Sequence, residues 1–274
     1  MTQKPQANAM PPKQHGIKVP GIVIETAAVI VTVTVVLSAW EVIAEAKKVP
    51  AFFLPRPSVI GARLVEALQA GTLTRDLMIT WSEALVAFAI AFVFASLVGY
   101  GLAKSPLLEK IVSPYLIASQ SLPIFAIAPF VLIWLGNGFP ANALMGALVA
   151  FFPMLINTIV SIRSVSPEQR ELMQSYAATP LQIFLKLELP AALPVIFGGA
   201  RVGITLSVIG VLVVELFWAD RGLGYLLNFA ERNFDTPLLF AGILTLLVMN
   251  LTMYLALALL QRVVLPWKYL RTSA

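Results

Sequence analysis

At 274 residues, with 59% hydrophobic and 12% charged side chains, the chain carries far less charge than a soluble domain, where ~25% is usual. Its mean hydropathy of +0.86 describes an integral membrane protein and excludes a soluble globular enzyme. A net charge of +5 fits loops facing a cytoplasm better than a nucleic-acid surface. With no cysteine there is no disulfide framework and no cysteine-based metal site, and the single histidine, His15, falls in a polar tail.

Residues 1–19 form that tail, with Lys4, Lys13 and Lys18. The apolar run 22–44 is long enough to span a bilayer. Ala44-Glu45-Ala46 has the form of a signal-peptidase site, but the run exceeds the ~7–15 residues of a signal-peptide core and reads as an uncleaved first span. Glu25 and Glu41 lie near its ends, within reach of water. Residues 47–79 are more polar. Phe53-Leu54-Pro55-Arg56-Pro57-Ser58 breaks regular structure, and after Ser58 an amphipathic helix is expected, with Ile60, Leu64, Ala67 and Leu68 on one face. The second span, 80–103, repeats a small residue every fourth position (Ala87, Ala91, Ala95, Gly99, Ala103), a stripe that lets a neighbouring helix approach closely. Gly99-Tyr100-Gly101 is too isolated to be a nucleotide loop.

A short basic turn, 104–110, leads to the third span, 111–135. Pro114 suits its first turn. Pro123 and Pro129 each remove a helical hydrogen bond and bend the helix. In lipid the freed carbonyls need partners or must line a protein-enclosed cavity, and Ser119, Gln120 and Ser121 stand beside the first break. After a Gly136-Asn137-Gly138 turn comes the fourth span, 141–162, with Pro153 and Asn157. The fifth span, 194–217, carries a Gly199/Gly203 contact pair and Arg201, which can reach headgroups from the cytoplasmic end. Residues 218–237 read as a polar loop around Gly222-Leu223-Gly224. The sixth span, 238–260, contains Asn250 and is followed by a basic tail with Arg262, Lys268 and Arg271. Six spans put both termini on one side, and the distribution of Lys and Arg favours the cytoplasm for both.

Between the fourth and fifth spans, residues 163–193 are charged and helix-forming. Ser166-Pro167-Glu168-Gln169 carries a helix start, and Thr179-Pro180-Leu181-Gln182 repeats it. Ala177 and Ala178 occupy the turn between the two helices, Leu189-Pro190 is expected to end the second, and Pro194 to open the next apolar run. The pattern is a knob of two short helices outside the bilayer. From physics alone an ordinary loop fits equally well.

Glu171-Leu172-Met173, Ala177 and Leu189-Pro190-Ala191-Ala192-Leu193-Pro194 resemble the EAA loop of bacterial ABC importer permeases, which reads E-A-A, a glycine a few residues on, and then I-x-L-P. Leu172-Met173 replace the alanines, and Ala177 stands where glycine, free to adopt positive φ, is usual. Leu54-Pro55-Arg56-Pro57-Ser58, the stretch from Pro123 to Pro129 with Trp134-Leu135-Gly136, Phe151-Phe152-Pro153, and Glu215 followed by Gly222-Leu223-Gly224-Tyr225-Leu226 look like the nitrate, sulfonate and taurine branch of those permeases. The resemblance implies an all-α, type I importer permease-like fold of six transmembrane helices: a single domain over 20–264, a cytoplasmic coupling loop at 163–193, and cytoplasmic tails at 1–19 and 265–274, in a bacterial inner membrane.

It further implies ABC ATPase subunits docked on the loop through Glu171, Ala177, Thr179 and Pro190, a second permease copy, and an extracytoplasmic solute-binding protein; nucleic acid is not a partner. A pathway at the dimer axis is expected from Gln120, Pro123 and Pro129, joined by Asn157 and Ser207. The chain has no GxxxxGK[ST] and no Gly-Lys pair, so it presents no P-loop to ATP; ATP belongs to the partner, and this subunit is expected to need no cofactor and to be non-catalytic. No charged residue falls between Ile111 and Ile162. That argues against an intramembrane hydrolase. An ion-coupled secondary transporter would want an ionisable midplane group or a broken helix, and only the broken helix is present. The missing cation tilts the expected solute towards an organic molecule, such as riboflavin, a thiamine-precursor pyrimidine or a sulfonate, over the alternative of a mineral oxyanion such as nitrate or bicarbonate.

Overall fold

The computed structural model describes residues 21–46, 50, 52–120, 123 and 126–266, and every regular element among them is helical. His15, Lys4, Lys13, Lys18, Ser121, Lys268 and Arg271 lie outside the described residues. Two compact units are distinguished, Met1–Val49 and Pro50–Ala274. The first holds α1 (Gly21–Ala46), which is apolar enough over Ala27–Ala46 to cross a membrane. Within it the Thr32 and Thr34 hydroxyls donate to the carbonyls of Ala28 and Ile30, each at 2.8 Å, so neither is left unsatisfied in an apolar helix.

The second unit begins with α2 (Pro57–Gln69), whose first residue is a proline with no amide to satisfy. Ile60 and Ala67 are buried and Leu64 packs on the core, but Leu68 is exposed, so the apolar face is narrower than the spacing implied. Arg63 is held by Asp235, with Nη2 donating at 2.7 Å and Nε at 3.0 Å, and Asp235 in turn caps the Leu238 amide at 3.1 Å. That hydrogen bond raises the Arg63 guanidinium above its ordinary pKa. α2 is thereby fastened to the start of α11 (Thr236–Val264).

Three helices make the core: α3 (Thr72–Lys104), α6 (Phe139–Arg163) and α9 (Leu189–Trp218). α3 starts about two turns earlier than residue 80, because Gly71 turns the chain at φ +72° and Leu73, Asp76 and Thr80 are buried by later elements. Ala87, Ala91, Ala95 and Gly99 of the small-residue stripe are all buried, and Ala103 is half-buried. The approach is close. A Cβ added to Gly99 would sit 2.8 Å from Thr158 Cβ, and one on Gly146 would sit 2.7 Å from Ala87 Cβ. On α9, Gly199 makes room for Asn157 and Gly203 for Met154. Without a hydrophobic driving force inside lipid, such backbone proximity and dispersion hold helices together.

Three expectations are corrected. The third span is not one helix. It divides into α4 (Pro106–Gln120) and α5 (Ala128–Leu135); five other helices among the described residues are each long and apolar enough to cross a membrane. Pro123 itself lies outside either helix, where its missing amide is tolerated. Pro129 instead serves in the first turn of α5. The supposed basic turn before it is already helical, since Ser105 Oγ accepts the Leu108 amide at 3.3 Å and Pro106 opens α4; Pro114 is therefore interior. The polar loop 218–237 holds a helix, α10 (Leu223–Arg232), which buries Leu223, Leu226, Leu227 and Ala230 at helical spacing.

Gly210 of α9 packs on α6 so tightly that an added Cβ would lie 2.7 Å from Gly146 Cα and 2.8 Å from the Met145 carbonyl. Gly210→Ala is expected to separate the two helices and cost about 1–3 kcal/mol. The unfolding temperature of the purified protein in detergent measures this, and an unchanged temperature would contradict the contact.

Candidate functional site

The knob forms as the two helix starts require, with one difference. In α7 (Pro167–Ser175), Ser166 Oγ accepts the Gln169 amide at 3.4 Å while its hydroxyl donates to Glu168. This bond holds the Glu168 carboxyl below its usual range. In α8 (Pro180–Ile183) the box is reciprocal: Thr179 Oγ1 accepts the Gln182 amide at 3.3 Å, and Gln182 Oε1 accepts the Thr179 amide at 2.9 Å. Between them Ala177 sits at φ +51°, the conformation glycine would supply freely. Glu168 occupies the first turn of α7; Glu171 lies one turn deeper and is exposed. The tip presents Leu172, Tyr176 and Leu181 to solvent, with Tyr176 80% exposed.

Pro190 does not end the second helix. α8 passes through a π-helical turn, Phe184–Glu188, directly into α9, so helical structure is unbroken from Pro180 to Trp218. The Leu189 amide bonds back to the Phe184 carbonyl, five residues away. This wider turn receives Pro190 in the first turn of α9, where its missing amide is tolerated. Pro194 lies inside α9 and opens nothing.

What seats the knob on the bundle was not read from the sequence. Glu188, in the π-helical turn, is fully buried. Its Oε1 pairs with Lys104 Nζ at 2.5 Å, at the end of α3, and with Arg170 Nε at 3.1 Å, on α7; its Oε2 accepts from Tyr100 Oη at 3.3 Å. Arg170 also donates from Nη2 to the Ile162 carbonyl at 2.8 Å, in the last turn of α6. One carboxylate thus joins both knob helices to two core helices. Beside it Arg163 and Glu109 pair α6 with α4. A lone acid where a charged loop runs into an apolar span was the available signal.

At the opposite end of the core, Glu215 of α9 is buried. It accepts from Thr80 Oγ1 at 2.7 Å and from the Gly224 amide at 2.8 Å, while Thr80 Oγ1 accepts the Leu223 amide at 2.8 Å. A Cβ on Gly222 would collide with the Glu215 carboxylate, and one on Gly224 would lie 2.5 Å from Glu215 Cβ. That is why a glutamate and a Gly-Leu-Gly turn occur together. Glu83 of α3, also buried, receives the Asn142 amide at 2.9 Å. Glu83 was overlooked because it stands alone in an apolar run. A cavity of about 350 Å³ at this end is lined by Arg63, Arg75, Asp76, Tyr225 and Phe229. Among the described residues no group of acidic side chains or histidines could hold a metal ion.

The pathway candidates are dispersed. Pro123 lies exposed at the break between α4 and α5, and Pro129 is exposed at the start of α5. Gln120 ends α4, and its side chain lies outside the described residues. Asn157 is half-buried against Gly199 and donates to the Pro153 carbonyl at 2.8 Å. Ser207 is fully buried at the contact of α6 and α9 and donates to the Ile204 carbonyl at 2.8 Å.

Residues 90–265 match the family described as binding-protein-dependent transport system inner membrane component. The chain is 39% identical to the riboflavin transport system permease protein RibX of Chloroflexus aurantiacus over 87% of its length and 89% of that protein's. It is 31% identical to the formylaminopyrimidine transport permease protein ThiX of Halalkalibacterium halodurans, covering 84% and 91%. To the taurine transport system permease protein TauC of Escherichia coli it is 28% identical, covering 86% and 88%. Among solved structures, the MetNI methionine ABC transporter in an inward-facing conformation superposes with a TM-score of 0.64 at 19% identity, over 72% of this chain and 97% of that one, a likeness of fold.

Glu188→Ala is expected to leave Lys104 and Arg170 facing each other without their shared anion, at a cost of about 3–5 kcal/mol. Proteolysis should then cut the 163–188 region faster than the spans. A knob as resistant as the parent's would show that Glu188 does not seat it.

Proposed function

The chain belongs to the family of binding-protein-dependent transport inner membrane components and is the permease of an ABC importer; on that premise we propose that its cargo is a small, uncharged heterocyclic solute of vitamin or vitamin-precursor type. The observation that carries this reading is the 39% identity, over nearly the whole chain, to a riboflavin transport permease. The absence of any charged side chain from Ile111 to Ile162 supports it, because the broken helix and α6 offer amide, hydroxyl and aromatic groups and no cation for an oxyanion.

Two copies of the chain enclose the pathway, with Gln120, Pro123 and Pro129 contributed by the interrupted third segment and Asn157 by α6, and Ser207 buried behind them at the contact of α6 and α9. The knob faces the cytoplasm together with both termini. An extracytoplasmic binding protein delivers solute at the Glu215 end. The subunit performs no chemistry, and ATP is hydrolysed by the partner docked on the knob. Exposed Leu172, Tyr176 and Leu181 around Ala177 fit an apolar socket on that partner, Glu171 orients the loop, and the Thr179 box keeps α8 rigid. Because Pro190 lies within continuous helix, displacement of the knob passes directly into α9.

Reconstitution with the cognate ATPase and binding protein tests the cargo. Riboflavin or a formylaminopyrimidine is expected to stimulate ATP turnover and to accumulate in vesicles, whereas nitrate and taurine are not. Stimulation by nitrate alone would overturn the reading. In the same vesicles Ala177→Asp should lower solute-stimulated turnover at least about tenfold, since a carboxylate buried without a partner at an interface costs more than 1.4 kcal/mol. Ala177→Gly should retain coupling and relieve about 1 kcal/mol of backbone strain. Glu171→Gln should cost less than about 1 kcal/mol, the scale of an exposed charge. Parental transport by a well-folded Ala177→Asp protein would place the coupling contact elsewhere.

A further inference from the structure

Arg201 carries a charge that its surroundings do not neutralise. It lies within apolar α9, and among the described residues no carboxylate pairs with it. Its Nη2 donates to Gln261 Oε1, its guanidinium lies 5.6 Å from the centre of the Tyr254 ring, and its Nε is buried without an acceptor. An amide oxygen and a ring face orient a cation, yet neither supplies a full negative charge.

The surroundings say where that charge is to be found. Gly199 and Gly203 face α6, and Arg201, two residues from each, projects about 200° away around the helix, towards α11. It therefore points away from Asn157 and the proposed pathway. α11 has 29 residues, ~43 Å at ~1.5 Å per residue, against a hydrocarbon thickness of ~30 Å. About four residues at each end thus lie at headgroup level. Gln261, in the last turn at the knob end, is among them. Leu259, Leu260 and Val263 around it are exposed and apolar, as a lipid-facing surface is.

The geometry points to an oxyanion site for the headgroup phosphate of an anionic phospholipid in the knob-side leaflet, formed by Arg201 with Gln261 and Tyr254 as its positioning residues. Arg201 is only half-buried, and the phosphate supplies the full negative charge that the Gln261 amide and the Tyr254 ring do not. Gln261, itself buried, fixes the fork through its amide oxygen. Tyr254 backs the guanidinium plane. A lipid held there would bridge α9 and α11. The inference rests on the membrane placement of these two helices and is independent of the cargo.

The protein, purified in mild detergent from membranes containing both phosphatidylglycerol and phosphatidylcholine, is to be analysed by native mass spectrometry for retained lipid. Phosphatidylglycerol is expected to be retained about fivefold more than phosphatidylcholine, the contribution of one near-surface arginine. Arg201→Gln should abolish the preference and Arg201→Lys should keep part of it. Inorganic phosphate at millimolar concentration should not displace the lipid. Equal retention of the two lipids, or an unchanged preference in a folded Arg201→Gln protein, would overturn the site. Displacement by inorganic phosphate would assign the same residues to a soluble anion and overturn the lipid reading. Should Arg201→Gln not fold, wild-type unfolding temperatures in nanodiscs of each lipid decide. A higher temperature with phosphatidylglycerol supports the site, and equal temperatures refute it.

Discussion

The Glu188 carboxylate is the interaction on which the working geometry depends. It is fully buried and pairs with Lys104 from α3 and Arg170 from α7, while its own backbone belongs to the turn that feeds α9. A buried anion with two cations is costly to break, because any rearrangement strands a charge away from water. The knob therefore cannot swing loosely on a flexible tether. It moves with α9, or the ion cluster must open. In a transporter whose energy source sits in another chain, that stiffness makes a movement of the knob, the proposed docking surface, felt inside the bilayer.

The core answers this with its own rigidity. α3, α6 and α9 meet through alanine and glycine, with backbones close enough that single added carbons would clash. Such contacts have few alternative arrangements and transmit displacement with little loss. The interrupted third segment is the contrasting element. Pro123 lies exposed between α4 and an eight-residue α5.

Much of this was legible because it is local. The caps at Ser166 and Thr179 need only a few neighbouring residues, and both formed. The alanine stripe of α3 declares its packing face by spacing alone. What escaped depends on distance or on competition between signals. Glu188 finds Lys104 from 84 residues away, a pairing no local pattern encodes. α10 was readable from Leu223, Leu226, Leu227 and Ala230, but the glycines before it and the charges after it weighed towards a loop. Two prolines announced a bend in the third span; its division into α4 and α5 goes further than a bend. Pro190 signalled a helix end, because proline does end α-helices; the π-helical turn that admits it is set by packing around Glu188.

That π-helical turn has a geometric consequence. A five-residue reach in place of a four-residue one amounts to a single residue threaded into an otherwise continuous helix. Each residue advances a helix by about 100°, so the turn sets the azimuth at which the Tyr176 tip faces relative to the lipid and protein faces of α9. Gain or loss of one amino acid at this point rotates the tip about the span while leaving both ends internally intact. A lineage could then re-aim the proposed docking surface at a differently shaped motor by a one-codon change in length, without redesigning either the membrane core or the tip.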